Sequence, residues 1–236
     1  MFDETFARGA LARCVLFEGV DLDAMDACLA CLRVRRFRRD ETVFHQGDPG
    51  DALHVIASGA VKIVLPSPAA GEAAILATLG PGDFFGELAL LDGDPHSASV
   101  IALEPTETLV LGHTDFERLF ETQPGLRRAL VASLARHLRR LTGHVEALHF
   151  LDLRERLALR IAELATDEAG VAATPGNGEV RLDHHWTQSE LAGMVGGSRE
   201  SVNRILAEFV TRGLIRFERD TLVVLDIGRL TTEGRP

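Results

Sequence analysis

The spacing of apolar residues divides the chain into three regimes. Over residues 1–32 it is helical and broken into short pieces, with Leu22, Met25, Leu29 and Leu32 recurring at helical spacing. From about 37 to 112 the apolar runs shorten to β length. They predict strands at 42–44, 52–57, 60–65, 73–79, 98–103 and 107–111. Glycines such as Gly47, Gly50, Gly59, Gly71, Gly82 and Gly86 punctuate these runs, which suggests an antiparallel roll or barrel. Ser58-Gly59, between two apolar runs, is a hairpin signal. From about 114 the period turns helical again. Thr114 is placed to cap a helix over 115–121, and Pro124 opens the next helix near its first turn.

That next helix runs to about 149. Val131, Leu134, Leu138, Leu141, Val145 and Leu148 follow a 3-4-3-4-3 spacing, an a/d seam of nearly three heptads. Gly143 falls inside it at a cost of roughly 1 kcal/mol against Ala. Spacing alone fits one face of a core helix as well as the seam of a two-fold coiled coil. Beyond it, a helix is expected over 152–168, a loop over 170–178 and a short strand over 180–182. Thr187-Gln188-Ser189-Glu190 is a capping box that opens a helix over 187–194. Gly196-Gly197-Ser198 then turns the chain, and Ser198 caps a helix over 198–212. Residues 214–226 look like a two-stranded wing.

A short helix, a Gly-containing turn and a second helix with a polar opening is helix-turn-helix spacing. On the second helix Val202, Ile205, Leu206 and Phe209 can pack inward, leaving Arg199, Glu200, Asn203 and Arg204 on the N-terminal half that meets base edges. Arginine donates bidentate to guanine, and glutamate accepts from cytosine N4. The alternative is a solvated charged face.

Composition sharpens the picture. The chain has 236 residues, 46% hydrophobic and 25% charged, which excludes a chain disordered throughout. No apolar run approaches the ~18 residues of a membrane span. The acidic N-terminus lacks the basic start of a secretory signal, and three cysteines make no disulfide framework, so a cytoplasmic location is expected. The net charge of −10 hides an uneven distribution. Residues 1–125 carry 9 basic and 20 acidic groups, whereas 126–160 carry 8 and 3. A DNA-binding surface would therefore rest on a few placed arginines.

Residues 187–206, TQSELAGMVGGSRESVNRIL, closely resemble the recognition motif of the Crp/Fnr family of bacterial regulators. Residues 85–95, FGELALLDGDP, resemble that family's phosphate-binding cassette. The order of the parts matches as well, so the resemblance spans nearly the whole chain. It implies an α+β architecture: an N-terminal cyclic-nucleotide-binding-type β-roll (jelly-roll) over 1–113, a long dimerisation helix and hinge over 114–150, and a C-terminal winged helix-turn-helix over 151–236. It implies transcription regulation by a homodimer, with double-stranded DNA and RNA polymerase as partners. Arg199, Glu200 and Arg204 match the family's base-contacting positions, and Gln188, Ser198 and Asn203 complete the expected DNA face. This trio looks like the catabolite-activator type, whose half-site is TGTGA-like. Asp152 matches the hinge between domains.

For the effector, the resemblance implies a site of Gly86, Glu87, Leu88, His96, Ser97 and Thr142, with cyclic AMP or another nucleotide as ligand. Glu87 would hold a ribose hydroxyl and Ser97 a phosphate. The departure is His96, where the family pattern has arginine. Arginine is a permanent planar fork, whereas histidine, with a pKa near ~6.5, is largely neutral at pH 7. Three readings follow: weak binding of cyclic AMP, binding of another nucleotide or small anion, or a structural turn with control exerted elsewhere. Cys28 and Cys31 form a CxxC, which with Cys14 falls short of the usual four iron–sulfur ligands; it reads as buried packing or as a redox-responsive pair. His137 and His144 on the long helix could serve a haem-sensing relative, although no spacing singles one out. No metal site is expected. The basic run 33–39 reads as the exposed side of a first strand or as a phosphate contact. An enzyme is not expected, because the C-terminal region carries no nucleophile–base–acid set. A sensing module without DNA binding is the remaining alternative.

Overall fold

The structure, a computed structural model, describes residues 4–66, 73–169, 179–182, 184–219 and 221–233. The expected loop over 170–178 lies outside them. The chain divides into two compact units, one of Met1–Pro68 and Ile75–Arg139, the other chiefly of Arg140–Pro236. The boundary falls inside the long helix.

The first unit opens with α1 (Glu4–Arg13) and α2 (Leu22–Cys31). Eight strands follow: β1 (Arg33–Phe37), β2 (Thr42–Phe44), β3 (Ala52–Ser58), β4 (Val61–Leu65), β5 (Ala74–Leu79), β6 (Phe84–Phe85), β7 (Ser99–Ala102) and β8 (Thr106–Gly112). The short α3 (Glu87–Asp92) sits between β6 and β7, α4 (His113–Thr122) follows β8, and α5 (Pro124–Phe150) belongs to this unit as far as Arg139. The strands form two four-stranded sheets, in the orders β1-β8-β3-β6 and β2-β7-β4-β5. Pairing is antiparallel at β1–β8, β3–β8, β3–β6, β2–β7 and β4–β7.

Phe37, Ile56, Val61, Phe85, Val100 and Ala102 form one buried cluster of this roll. A second cluster joins Leu53, Val55, Leu109 and Leu111 to Leu11, Leu29, Phe116, Leu126 and Leu130 of the helices. Burying a side chain of this size is worth about 1.5–3 kcal/mol, so these two clusters fix how helices and strands meet. On β1 only Phe37 is buried, while Arg33, Arg35 and Arg36 are exposed. Arg36 Nε donates to Glu107 Oε1 at 2.5 Å on the neighbouring strand. The basic run is thus the outer face of an edge strand, a placement that blunts edge-to-edge pairing.

The Ser58-Gly59 signal does not make a hairpin. Strand β3 pairs with β8 and β6, whereas β4 pairs with β7, so the turn carries the chain from one sheet to the other. Gly59 has φ +81°, and a Cβ there would lie 2.4 Å from the Pro105 carbonyl oxygen, so only glycine fits. Leu22 also departs from the expected apolar stripe and is exposed, although Leu29 and Leu32 are buried. Thr114 lies inside the first turn of α4, whose N-cap is Gly112 without a side-chain bond.

The second unit contains α6 (Leu153–Ala169), β9 (Val180–Arg181), α7 (Gln188–Val195), α8 (Arg199–Thr211), β10 (Ile215–Glu218), β11 (Thr221–Val224) and α9 (Ile227–Glu233). The expected wing is present as β10 and β11, and β9 adds a third strand beside β11. Among the described residues no helix is long and apolar enough to cross a membrane.

Candidate nucleic-acid interface and effector site

Local chemistry sets the two helices of the second unit. Thr187 Oγ1 accepts from the Glu190 amide at 3.2 Å, and Glu190 Oε2 accepts from the Thr187 amide at 3.0 Å, closing the expected capping box. Gly196, at φ +65°, ends α7 in the left-handed conformation. Ser198 Oγ accepts from the Ser201 amide at 3.2 Å and starts α8. Leu191, Ala192 and Val195 of α7 are buried, as are Val202, Ile205, Leu206 and Phe209 of α8.

The opposite face of α8 is polar and open. Ser198, Arg199, Glu200, Asn203 and Arg204 are all exposed. Gln188 joins the two helices: its Nε2 donates to Asn203 Oδ1 at 2.9 Å, and its Oε1 accepts from Arg199 Nε at 3.5 Å. Sequence reasoning placed Gln188 on this face without foreseeing that it holds two of its neighbours. Among the described residues Glu200 and Arg204 make no side-chain hydrogen bond or ion pair, so their donors and acceptor are available to a base edge.

In the first unit the structure brings Gly86, Glu87 and His96 together. Gly86 has φ +91°, and a Cβ there would lie 2.7 Å from the Ala52 carbonyl oxygen and 3.9 Å from His96 Cε1. This close approach requires glycine. Glu87, the first residue of α3, is buried, and desolvation raises its pKa above the ordinary carboxylate value. Its Oε1 lies 4.0 Å from His137 Nδ1 on α5. The sequence offered His137 only as a histidine of the long helix that could serve a haem-sensing relative, because nothing local links positions fifty apart.

The His96 backbone is held on both sides. Its amide donates to the Asp48 carbonyl at 2.9 Å, and its carbonyl accepts from the Gly47 amide at 2.9 Å. The ring stacks on Phe44 with centroids 3.5 Å apart and planes 5° apart. Partial burial lowers its pKa, against the opposing pull of the Asp48 and Asp51 carboxylates. The imidazole is therefore neutral at pH 7. Behind it His54 is buried, stacked on Phe85 at 4.9 Å, with Nδ1 in hydrogen-bond contact with Thr108 Oγ1 at 3.1 Å. Leu88 and Ser97 are exposed, as is Thr142, which lies on α5 in the second unit.

Along α5 the expected seam separates into two groups. Leu134 is half-buried and packs against the roll's core. Val131, Leu138, Leu141, Val145 and Leu148 are between 46% and 67% exposed and leave an open apolar stripe. At the next junction Asp152 Oδ1 accepts from the Glu155 amide at 2.8 Å and the Asp152 amide donates to Glu155 Oε2 at 2.7 Å. The residue expected at the hinge thus caps α6.

Residues 34–123 match the cyclic nucleotide-binding domain, and residues 155–233 match the Crp-like helix-turn-helix domain. The chain is 36% identical over 225 residues to the CRP-like cAMP-activated global transcriptional regulator of Mycobacterium tuberculosis, covering 95% of this chain and 98% of that protein. The chain belongs to the Crp/Fnr family. It is also similar to the cyclic AMP receptor protein of Thermus thermophilus, 34% identical over 91% of this chain and 94% of that one. Among solved structures, the c-di-GMP responsive regulator CLP of Xanthomonas campestris has TM-score 0.73 at 26% identity, covering 87% of this chain and 99% of that one. This Crp/Fnr member is therefore a transcription regulator with a helix-turn-helix DNA-binding domain and a cyclic-nucleotide-type effector domain.

Proposed function

We propose that this regulator works as a cytoplasmic homodimer joined along α5 and binds a TGTGA/TCACA-like palindrome, with RNA polymerase as its downstream partner. The observation that carries this reading is the exposed Arg199, Glu200 and Arg204 on the N-terminal half of α8, opposite four buried apolar residues. Arg204 and Arg199 donate to guanines, and Glu200 accepts from a cytosine amine. Two recognition helices reach successive major grooves when they sit about one DNA turn, ~34 Å, apart. The open stripe on α5 supplies the apolar surface that a second copy would cover. The test is binding to half-sites with single base swaps, for wild type and Arg204→Ala. A good bidentate contact discriminates by ~1–3 kcal/mol, and the variant should lose that preference at one guanine. Unchanged discrimination refutes the assignment.

The effector is a cyclic nucleotide whose ribose hydroxyl is held by Glu87 and whose phosphate lies near Ser97 and the amides following Gly86. Two similar regulators, those of Mycobacterium tuberculosis and Thermus thermophilus, are respectively a cAMP-activated regulator and a cyclic AMP receptor protein, which supports cyclic AMP as the first ligand to test. A charge-assisted hydrogen bond is worth ~1.5–3 kcal/mol, so neutral His96 in place of arginine weakens phosphate binding roughly 10- to 150-fold. The stacking of His96 on Phe44, beside two aspartates, favours a second reading in which the roll takes another small anion or acts without ligand. Calorimetry of cyclic AMP against wild type and His96→Arg separates them. Weak binding that tightens in the variant supports the first reading, and no binding by either protein supports the second.

A further inference from the structure

Three thiols lie in the first unit, and only one of them is both accessible and hydrogen-bonded to a cation. Cys14 and Cys28 are buried, and burial pushes their thiols up to about 11 and about 12. Both are therefore protonated at neutral pH and shielded from dissolved peroxide, although a buried thiol can still meet a neighbouring sulfur in its own helix. Cys31 is half-buried at the last residue of α2. Arg118 Nη2 of α4 donates to its Sγ at 3.5 Å and to Asp115 Oδ1 at 2.8 Å. Asp115 thereby pins the guanidinium beside the sulfur. The one partly exposed sulfur of the three thus has a guanidinium held against it, the setting in which a cysteine attacks peroxides.

We propose that Cys31 and Cys28 form a peroxide-oxidisable pair, with Cys31 as the attacking thiol and Cys28 as the resolving one. In the first step the Cys31 thiolate attacks one oxygen of hydrogen peroxide. The O–O bond breaks, an S–O bond forms, and hydroxide leaves; sulfur is oxidised to the sulfenic acid and peroxide is reduced. In the second step the Cys28 sulfur attacks the Cys31 sulfur. An S–S bond forms, and the Cys28 proton leaves with the sulfenic oxygen as water.

The position on the helix permits the bridge. Residues three apart in a helix have Cβ atoms ~5–6 Å apart, and a disulfide needs ~3.5–4.5 Å. The last turn must tighten by about 1–2 Å. It can do so because α2 ends at Cys31 and Leu32 is already extended, at ψ 145°. Cys28 shares a buried cluster with Leu126 and Leu130 of α5, so closing the bridge disturbs the packing at the root of the long helix.

The test uses the reduced full chain exposed to dilute hydrogen peroxide, then blocked with a thiol-alkylating reagent. Cleavage at acidic residues within 21–26 separates Cys14 from the pair before mass spectrometry. The expected product is a peptide with Cys28 and Cys31 linked and two hydrogens lost, formed at least about tenfold faster than any change at Cys14. In Cys28→Ala the sulfenic acid at Cys31 persists and is trapped by dimedone. Arg118→Met slows the first step about three- to tenfold, the weight of one charge-assisted hydrogen bond at a partly exposed site. Equal oxidation of Cys14, no Cys28–Cys31 link in wild type, or an unchanged rate in Arg118→Met overturns the proposal.

Discussion

Leu138→Glu is the sharpest probe of the α5 seam. Leu138 is 67% exposed in the single chain, so a partner copy has two-thirds of its surface left to cover. Complete burial of a leucine is worth about 1.5–3 kcal/mol. The uncovered share is therefore about 1–2 kcal/mol per protomer, and a two-fold interface counts it twice. Removing about 2–4 kcal/mol weakens the dimer roughly 30- to 1000-fold, and two carboxylates facing each other across the axis add repulsion. The fold should be spared, because the residue contributes little to the roll's core. Leu22→Glu is the control: that leucine is 76% exposed but lies on α2 and is no member of the seam. Sedimentation equilibrium over a range of concentrations reads the association constant, and thermal melting checks folding. An unchanged association constant in Leu138→Glu, or an equal loss in Leu22→Glu, refutes the seam.

Four further predictions follow from the sites. Gln188→Ala removes the side chain that ties Asn203 and Arg199 together, and DNA affinity should fall about threefold to tenfold in a gel shift while the melting temperature hardly moves. Burial holds His54 neutral, with its pKa lowered to about 3, and the charges of Arg35 and His96 act in the same direction. The unfolded chain takes up this proton near pH 6.5 and the folded chain does not, so stability is full above 6.5 and falls by about 1.4 kcal/mol per pH unit down to about 3. Urea melts at pH 7 and 5 should show a smaller loss in His54→Phe than in wild type; the opposing gain from Glu87, whose raised pKa favours the acid side, is common to both proteins. Because the pKa of His96 is depressed, its cation appears only below pH 6.5. Relative to His96→Arg, in which the Glu87 titration is the same, cyclic AMP affinity in wild type should therefore gain on acidification, as read by calorimetry at pH 7.5 and 5.5. Thr187→Ala opens the α7 capping box and should cost about 1 kcal/mol in denaturant unfolding of the second unit.

Much of this was legible in the sequence because its causes are local. Thr187 and Glu190 are three residues apart and Ser198 is three from Ser201, so both caps of the helix-turn-helix could be read directly. The division of α8 into buried and exposed faces follows from its period. What was missed depends on distant partners. Ser58-Gly59 carries the same turn chemistry whether the chain doubles back or crosses to the other sheet, and only the pairing of β3 with β8 and of β4 with β7 decides it. The six-residue α3 and the two-residue β6 are too short to show a period. Leu22 and Leu29 share helical spacing, yet only Leu29 meets the core. Glu87 and His137, Phe44 and His96, and Cys31 and Arg118 are distant in sequence and meet only in the fold, so the polar surroundings of the candidate effector site and of Cys31 emerge only there.

The central claim is tested most directly by the stoichiometry and sequence dependence of the DNA complex, measured by analytical ultracentrifugation with a labelled duplex carrying TGTGA and its inverted repeat, with and without cyclic AMP. Two chains per duplex are expected, with affinity dropping at least about tenfold when either half-site is scrambled. One chain per duplex, or equal binding to the scrambled sequence, contradicts the account.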